Sequence, residues 1–583
     1  DNLGYVHEKH QQYYKGVKVE FGTYTLHSKK GKIASMTGEF YDANNANVVP
    51  KLTKEQGLLS AMNHIGAKSY LWQDAAASKE LGYKKPEGEL VLLPVFDNLE
   101  KRGDVEKMRL AYKYEIFTIQ PLGGADVYVD AQTGKVLFYN ARVKHADNVG
   151  YDGRNFAKTD SKIAREHALK TLSTAMISGT AATRYSGTQN IETASSGSNY
   201  TLNDASRKVY TRNANNMAPG STSLPYISNY TEFTDNDNNW TAAEFDNANK
   251  DNAALDAHWG AMMTYDYWMN VHGRNSYDNA GSQLRSYVHV DNGYDNAFWY
   301  LNVMSYGDGS SNGNEGNGYF DALTSIDVAG HEIGHGVCEY TANLAYQRES
   351  GAMNEGFSDI WGASIEHYAK GNGSDTNPDA TIWLIGDEID RRSGSAALRS
   401  MSDPKSLGQP DTYGGTYWVD VNCGTPTSSN DYCGVHTNSG VLNYWYYLVS
   451  VGGSGTNDIG STYNVSGIGI TKAAHITYRL ESVYLSANST YADARANSIL
   501  AAKDLYGAGS AEEIAVTNAW YAVGVGNAYG DTSLNYCAST SSNVNDEYIG
   551  RVQLNTIDNA SNGQFYSNFT AISTDLSKDT QYT

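Results

Sequence analysis

His331 and His335 constrain the fold of this chain more tightly than any other pair of residues. They stand four apart in His331-Glu332-Ile333-Gly334-His335, and on an α-helix residues i and i+4 share one face. Both imidazoles can then reach one Zn²⁺ ion, and Glu332, one residue on from His331, can reach a water bound there as a general base. Glu355 follows in Asn354-Glu355-Gly356-Phe357-Ser358-Asp359, a stretch that reads as the next helix. The two helices must pack against each other if Glu355 is to supply a third ligand. Two His and one Glu leave the fourth position of a tetrahedral ion for water, as a catalytic site requires. Asp359, one turn beyond Glu355, can accept the other ring N–H of a ligand histidine and fix its tautomer. Chance or a structural role can also produce such a motif. A solvated helix charge, however, fits poorly with the small and apolar residues that flank Glu355.

Asp431-Tyr432-Cys433-Gly434-Val435-His436 carries a further constellation. An Asp five residues before a His can orient it so that the imidazole donates to a developing oxyanion. Taken alone, a loop histidine of this kind is more often structural.

At 583 residues the chain exceeds one domain, taking ~150 residues per domain. Its net charge of −21 argues against a nucleic-acid binder, which usually shows a basic surface. The charge is uneven: residues 1–150 carry +2 and the remainder −23. Complementary charge between the two pieces could help them dock. Hydrophobic residues at 40% supply ample core, which argues against wholesale disorder. No apolar run approaches ~18 residues, so no transmembrane helix is expected. The chain begins at Asp1 without a signal peptide, so either a leader has been removed or the start is not shown.

The front of the chain alternates apolar and polar residues with period two at Val17–Phe21 and Tyr24–His27, and a further run follows at Gly31–Phe40. Thr53 to Ile65 reads as a helix capped by Thr53. Strands follow at Leu90–Val95, Met108–Ile119, Ala125–Asp130 and Val136–Tyr139, completing a small α+β region by about residue 145. Residues 146–180 read as a connector with its own helix. Turn-rich strands occupy about 181–230, a helix begins near Ala253, a glycine-rich loop spans Gly307 to Gly318, and a strong helix runs from about Ser325 to Tyr340. Helical patterns dominate to about Val525, and a β-rich piece follows from 528.

The middle of the chain closely resembles the thermolysin family of secreted zinc endopeptidases. The likeness rests on His331-Glu332-Ile333-Gly334-His335-Gly336, Tyr340 to Gln347, Glu349 to Glu355 and Ser358-Asp359. It also rests on Asn296-Ala297-Phe298-Trp299-Tyr300, Leu398 to Pro404 and Gly434-Val435-His436-Thr437-Asn438-Ser439-Gly440. The start, Asp1 to His7 with Gln11 to Val17, resembles the fungalysin/thermolysin propeptide, and about 50–145 is similar to the PepSY type. The tail from Asn535-Tyr536-Cys537-Ala538 resembles the beginning of a GEVED-type β domain.

The resemblance implies an α+β multidomain proenzyme with a two-lobed catalytic domain, β-rich then helical, and the active site between the lobes. The divisions it implies are 1–48 and 49–145 (prosegment), 146–180 (linker), 181–527 (protease) and 528–583 (extension). The reaction would be peptide-bond hydrolysis by zinc-activated water. His331, His335 and Glu355 would hold the zinc, Glu332 would be the general base, and Tyr346 and His436 the oxyanion donors, with Asp431 orienting His436. Asn296, Ala297 and Arg399 match groups that bind substrate backbone, although Arg399 reads equally as an ion-pair residue. Phe320, Leu323, Val328 and Leu398 match an apolar pocket for a bulky residue just after the cut; each also reads as ordinary core. Asp327, Glu366 and Asp387 fall where the family places calcium carboxylates. Ile382 and Leu384 replace the acids of a double site, so one ion is expected there. Asp235, Asp237 and Asn239 resemble a second calcium loop or, equally, a solvated Asn/Asp turn. The implied partners are protein or peptide substrates and the chain's own prosegment as inhibitor and folding aid, in an extracellular setting, with no nucleic acid. Cys423 and Cys433 lie ten apart among Gly, Pro and Ser, so a loop disulfide is plausible. Cys338 on the metal helix reads as a buried free thiol, with Cys537 as an alternative partner.

Overall fold

The structure is a computed structural model that describes residues 1, 3–95, 107–145, 176–531, 551–554 and 557–560. Strands β1 (Tyr5–Tyr14) and β2 (Val17–Lys29) form a hairpin closed at Lys15-Gly16, both at positive φ. The two runs read separately at 17–21 and 24–27 are one strand, passing through Phe21 at φ 62°. β3 (Lys32–Gly38) pairs with the far end of β2, on the edge opposite β1. Helix α1 (Lys54–Ile65) begins where the sequence places it: the Thr53 hydroxyl accepts from Gln56 N–H, and the Gln56 side chain accepts from Thr53 N–H. Leu58 and Ala61 turn inward against Val19, Leu92, Leu110 and Val127. After β4 (Ser69–Tyr70), helix α2 (Ala75–Leu81) was not foreseen. It is only seven residues long, too short for helical periodicity to register.

β5 (Glu89–Val95), β6 (Lys107–Gln120), β7 (Gly123–Asp130) and β8 (Val136–Ala141) extend the sheet in the order β1-β2-β5-β6-β7-β8. β9 (Lys144–His145) leaves this sheet and joins another. That second sheet is built on β10 (Val209–Asn213), β11 (Leu284–Val288), β12 (Ala297–Tyr300) and β13 (Val303–Tyr306), with β12 at its edge and β9 laid antiparallel on that edge. A five-stranded sheet including Met176–Ala182 and Thr188–Ser196 completes the β-rich lobe.

Helix α3 (Asn252–His272) leads into the helical lobe of α4 (Ile326–Glu339), α5 (Arg348–Lys370), α6 (Gly440–Val451), α7 (Ile470–Arg479), α8 (Tyr491–Tyr506) and α9 (Ala511–Ala522). The α4–α5 contact is close because it is made through small residues. A Cβ on Gly362 would lie 2.6 Å from the Asp327 carbonyl oxygen, and one on Gly330 would lie 3.1 Å from the Gly362 Cα. The expected connector helix in 146–180 falls outside the described residues up to 175, as do Cys537 and most of the tail. Within the tail, Arg551–Leu554 and Ile557–Ala560 pair as a hairpin.

The first 145 residues share a core with the β-rich lobe: Leu71, Ala77, Leu81, Phe117 and Val143 pack with Leu224, Tyr287, Phe298 and Tyr300. Glu80 accepts from Arg212 (3.1 Å) and Arg285 (3.4 Å), and Arg142 pairs with Glu339 (2.6 Å). Asp74 caps α2 with one oxygen and accepts from Leu224 N–H with the other.

Against the helical lobe, His7 and His27 meet Nδ1 to Nδ1 at 2.8 Å, so one ring donates to a neutral neighbour. Asp1, Arg479, Asp504, Tyr5, Tyr484 and Thr37 surround the pair. Burial, together with His7, pushes the His27 imidazole down to about 4, and burial with Arg479 lowers that of His7. A lowered histidine pKa means that the docked state holds the neutral ring. Its contribution is complete above the ordinary ~6.5 and is lost as pH falls from there toward the lowered value. Acidification from about pH 7.5 to about pH 5 should therefore lower the protection factors of amides in β1 and β2, that is, their exchange relative to the intrinsic rate at each pH. His27→Gln should flatten that dependence; an unchanged pH profile in the variant would show that the histidine pair is not its source.

Candidate active site

α4 and α5 bring three side chains to one point. His331 Nε2 lies 3.5 Å from Glu355 Oε2, and His335 Nε2 lies 3.4 Å from Glu355 Oε1. All three residues are fully buried, and His331 Nε2, His335 Nε2 and Glu355 Oε2 make no hydrogen bond. Buried polar atoms without partners cost ~1–3 kcal/mol each, so three that converge call for a ligand. Among the described residues, this is the one group of three or more His, Cys, Asp or Glu side chains whose ligand atoms lie within 4.8 Å of one another. Two imidazoles and a carboxylate are a donor set suited to zinc. Burial and the neighbouring His331 lower the His335 pKa well below its ordinary value, holding the neutral form that a ligand must have.

Each ring is held from behind. His331 Nδ1 meets Asp359 Oδ1 at 2.8 Å, the orientation the spacing implies. Asp359 is itself gripped by Arg399 through two bonds (2.8 and 2.7 Å) and by Asn443 (2.8 Å). The ion-pair reading of Arg399 is thus realised. His335 Nδ1 meets Asn354 Oδ1 (2.8 Å) and Ser358 Oγ (2.9 Å), two partners that the sequence reading did not single out. Their spacing of four, flanking Glu355 on α5, is the signal that could have found them.

Glu332 is buried beside the triad, and neither of its carboxylate oxygens has a hydrogen-bond partner. Burial and the Glu355 charge push its pKa well above the ordinary carboxylate value. The Tyr346 hydroxyl donates to Glu355 Oε1 and lies 3.3 Å from His436 Nε2. His436 Nδ1 meets Asp431 Oδ1 at 2.5 Å, and Asp431 Oδ2 accepts from His436 N–H at 3.0 Å. Burial alone would lower the His436 pKa, but Glu355 and Asp431 outweigh it and hold it at about 10. Asp431, Tyr432, Cys433 and Gly434 form a left-handed turn, with φ of 52°, 46°, 68° and 85°. Such a backbone costs ~1–2 kcal/mol for each residue bearing a Cβ. Cys423 and Cys433 form a disulfide at that turn, while Cys338 is free and buried.

On the other wall, Ala297 opens the edge strand β12 and Asn296 immediately precedes it. β9 occupies that edge, with Lys144 opposite Trp299 and His145 opposite Phe298, and the His145 carbonyl accepts from His436 Nε2 at 3.1 Å.

Comparison with known proteins fits this geometry. Residues 178–339 match the model of the thermolysin metallopeptidase catalytic domain, 342–525 its alpha-helical domain, and 1–40 the fungalysin/thermolysin propeptide motif. Bacillolysin from Bacillus cereus is 36% identical over 528 residues, covering 88% of this chain and 81% of that protein. The chain belongs to the thermolysin family of metallopeptidases. Thermolysin from Alicyclobacillus acidocaldarius subsp. acidocaldarius is 35% identical over 534 residues, covering 90% of this chain and 84% of the relative. A solved precursor of protealysin, a metalloproteinase from Serratia proteamaculans, is 28% identical, with a TM-score of 0.40 over 55% of this chain and 87% of that one.

The remaining family positions fall as follows. Phe320, Leu323 and Val328 lie in the main core and Leu398 packs against it. Asp327, Glu366 and Asp387 gather with Glu388 around Lys370. Burial with Asp327 raises Glu366 to about 8 and Asp387 to about 7, and one oxygen each of Glu366 and Glu388 is buried without a partner. The cation the structure places among them is the Lys370 ammonium, and Glu388 is an addition to the expected set. In Asp235–Asn239 the oxygens serve the turn itself: Asp235 accepts from Asp237 and Asn239 N–H, and Asn239 accepts from Thr180. These are the hydrogen bonds of an Asn/Asp turn.

The bonds behind His335 carry a test. Asn354→Ala should weaken Zn²⁺ binding by ~10–100-fold, measured by competition with a chromogenic chelator, with the α-helical circular dichroism retained.

Proposed function

We propose that this metallopeptidase is a secreted zymogen of a zinc endopeptidase in which Glu332 is the general base and cleavage falls before bulky apolar residues. The observation that carries the reading is the set of unpartnered buried atoms: three that converge as ligands, with both Glu332 oxygens free beside them. When bound, zinc would polarise the scissile carbonyl and bring the pKa of a water toward ~7. The Glu332 carboxylate takes that water's proton as the oxygen attacks the carbonyl carbon. The same carboxyl, its pKa raised by burial, returns the proton to the departing amine nitrogen. Tyr346 O–H and His436 Nε2–H donate to the oxyanion, and Asp431 holds the His436 ring at its Nδ1. Asn296 and Ala297 meet the substrate backbone at the sheet edge, in the strand-addition mode of peptide binding. Arg399 steadies Asp359 and, through it, His331. Phe320, Leu323, Val328 and Leu398 wall the pocket for the residue after the cut, where burial of a Leu- or Phe-sized side chain contributes ~1.5–3 kcal/mol. Asp327, Glu366 and Asp387 would hold one structural calcium ion, whose role would be to stabilise the fold.

The zymogen part of the proposal rests on β9. Its backbone lies on β12 as a substrate strand would, and His145 offers its carbonyl to His436. The units 1–48 and 49–145 act together as inhibitor and folding aid. The chain is then cut at the bond after His145, at the front margin of the 146–180 connector, ahead of the protease at 181–527 and its extension at 528–583.

Glu332→Ala should keep one zinc per chain and lose at least ~10²-fold in kcat on a casein-derived peptide. Equal activity would remove Glu332 from the role of base. A zinc chelator should abolish hydrolysis, and activity that persists without zinc would sink the metalloenzyme reading. N-terminal sequencing of the processed product should begin at Ala146, and a start well inside 181–527 would contradict the assigned junction.

A further inference from the structure

The disulfide between Cys423 and Cys433 closes at the left-handed turn that carries Asp431. Three consecutive residues with a Cβ, Asp431, Tyr432 and Cys433, hold positive φ there, followed by Gly434. A free loop would leave that backbone, because its Cβ atoms crowd the following carbonyls. The turn is nevertheless where the chemistry needs it. It aims both Asp431 oxygens at one residue, one at His436 Nδ1 and the other at His436 N–H. It also sets the Tyr432 ring against Tyr346, with centroids 5.6 Å apart.

Braces converge on this loop from several directions. Arg348 donates to the Val421 and Gly424 carbonyls, Asn438 exchanges two bonds with the Val419 backbone, and Tyr432 N–H donates to the Thr427 carbonyl. Of these, only the disulfide acts on a strained residue through a covalent bond.

We propose that the Cys423–Cys433 disulfide is a positioning device for catalysis: it holds the left-handed turn that locks Asp431 onto His436, and so presets the oxyanion donor. Cys423 and Cys433 touch no reacting atom; they act through Asp431. The inference rests on the reading of His436 as a catalytic donor, and the test separates the two.

Three variants of the full-length chain are activated and compared with the parent at a temperature well below unfolding. In Cys423→Ser/Cys433→Ser the crosslink is gone while residue 433 still carries a Cβ. In Cys423→Ser/Cys433→Gly the crosslink is gone, but glycine adopts positive φ at no steric cost. His436→Ala reports on the donor itself. We expect the serine pair to lose about tenfold or more in kcat, with KM and bound zinc changed less than about threefold. We expect the glycine variant to recover kcat to within about threefold of the parent, because the turn returns without the bond.

A crosslink that only stabilised the fold would lower Tm in both variants and leave kcat alone, and that result overturns the proposal. Equal kcat losses in the two variants also overturn it, since conformation at residue 433 would then not be what matters. Should the serine pair not fold, the glycine variant decides: parental kcat supports the proposal and a tenfold loss defeats it. If His436→Ala keeps parental kcat, the catalytic reading falls and the positioning role falls with it. If His436→Ala loses activity while both cysteine variants keep theirs, only the positioning role falls.

Discussion

Everything at the centre of this molecule depends on how closely α4 and α5 approach each other. Imidazoles on one helix reach a carboxylate on the other at 3.4–3.5 Å, and that reach is possible only where the helices meet through small residues. Gly330 and Gly334 on α4 face Gly362 and Ser358 on α5, and any larger side chain would meet backbone within about three ångströms. The same closeness makes the interior costly, because Glu332, Glu355 and Asp359 are all carried away from water. Asp359 is compensated by the two-pronged Arg399 contact and Asn443, and its pKa is held well below the carboxylate range despite full burial. Glu355 has only the His436 imidazole, 3.6 Å away, and the Tyr346 hydroxyl, and Glu332 makes no ion pair; a divalent metal would balance the charge that is left. The helix contact, the buried acids and the metal requirement are therefore one constraint seen from three sides.

That constraint was legible in the sequence because it is written as spacing. The i, i+4 histidines, the acid on the next helix and the aspartate one turn later need only helical geometry to be interpreted. Thr53 and its helix were legible for the same reason, since a cap and an apolar face are local signals. Asn354 and Ser358 were not read, although they sit beside Glu355, because amides and hydroxyls on a helix are usually solvated and nothing local says that these two are buried. α2 escaped for want of length. The left-handed turn at Asp431–Gly434 was beyond local reading, since only one of its four residues is glycine and the others disfavour the conformation they adopt. It exists because distant parts of the chain hold it.

Charge was the weaker guide. The contrast between +2 in the first 150 residues and −23 in the rest suggests a basic inhibitor docking on an acidic enzyme. The contacts run otherwise. At Glu80 the acid belongs to the N-terminal unit and the arginines to the β-rich lobe, and at Asp1–Arg479 the order is the same. Arg142–Glu339 alone of these runs the way net charge predicts. The pairs set register, in the sense that each removes the charge of a half-buried partner, while the driving contact is the shared core around Leu81, Phe117, Tyr287 and Phe298. Net charge is a property of whole surfaces, and docking here is decided by a few desolvated groups.

The edge of β12 ties inhibition to catalysis. An unpaired edge strand offers a row of free backbone donors and acceptors, which is what a peptidase needs to bind any sequence by its main chain. It is equally a hazard, because such an edge pairs with whatever strand is available. β9 resolves the conflict by occupying the edge from within the same chain, as a tethered strand at high effective concentration. Strand pairing alone would leave the carbonyl at the end of β9 in an arbitrary place. The His145 carbonyl instead meets His436 Nε2, the atom that Asp431 and its left-handed turn hold in position. On the proposed mechanism, the group that receives the developing oxygen of a substrate also grips the carbonyl of the segment lying on that edge. The more firmly His436 is held, the better it serves in both roles, so selection for a rigid turn there would act on the zymogen and on the mature enzyme in the same direction.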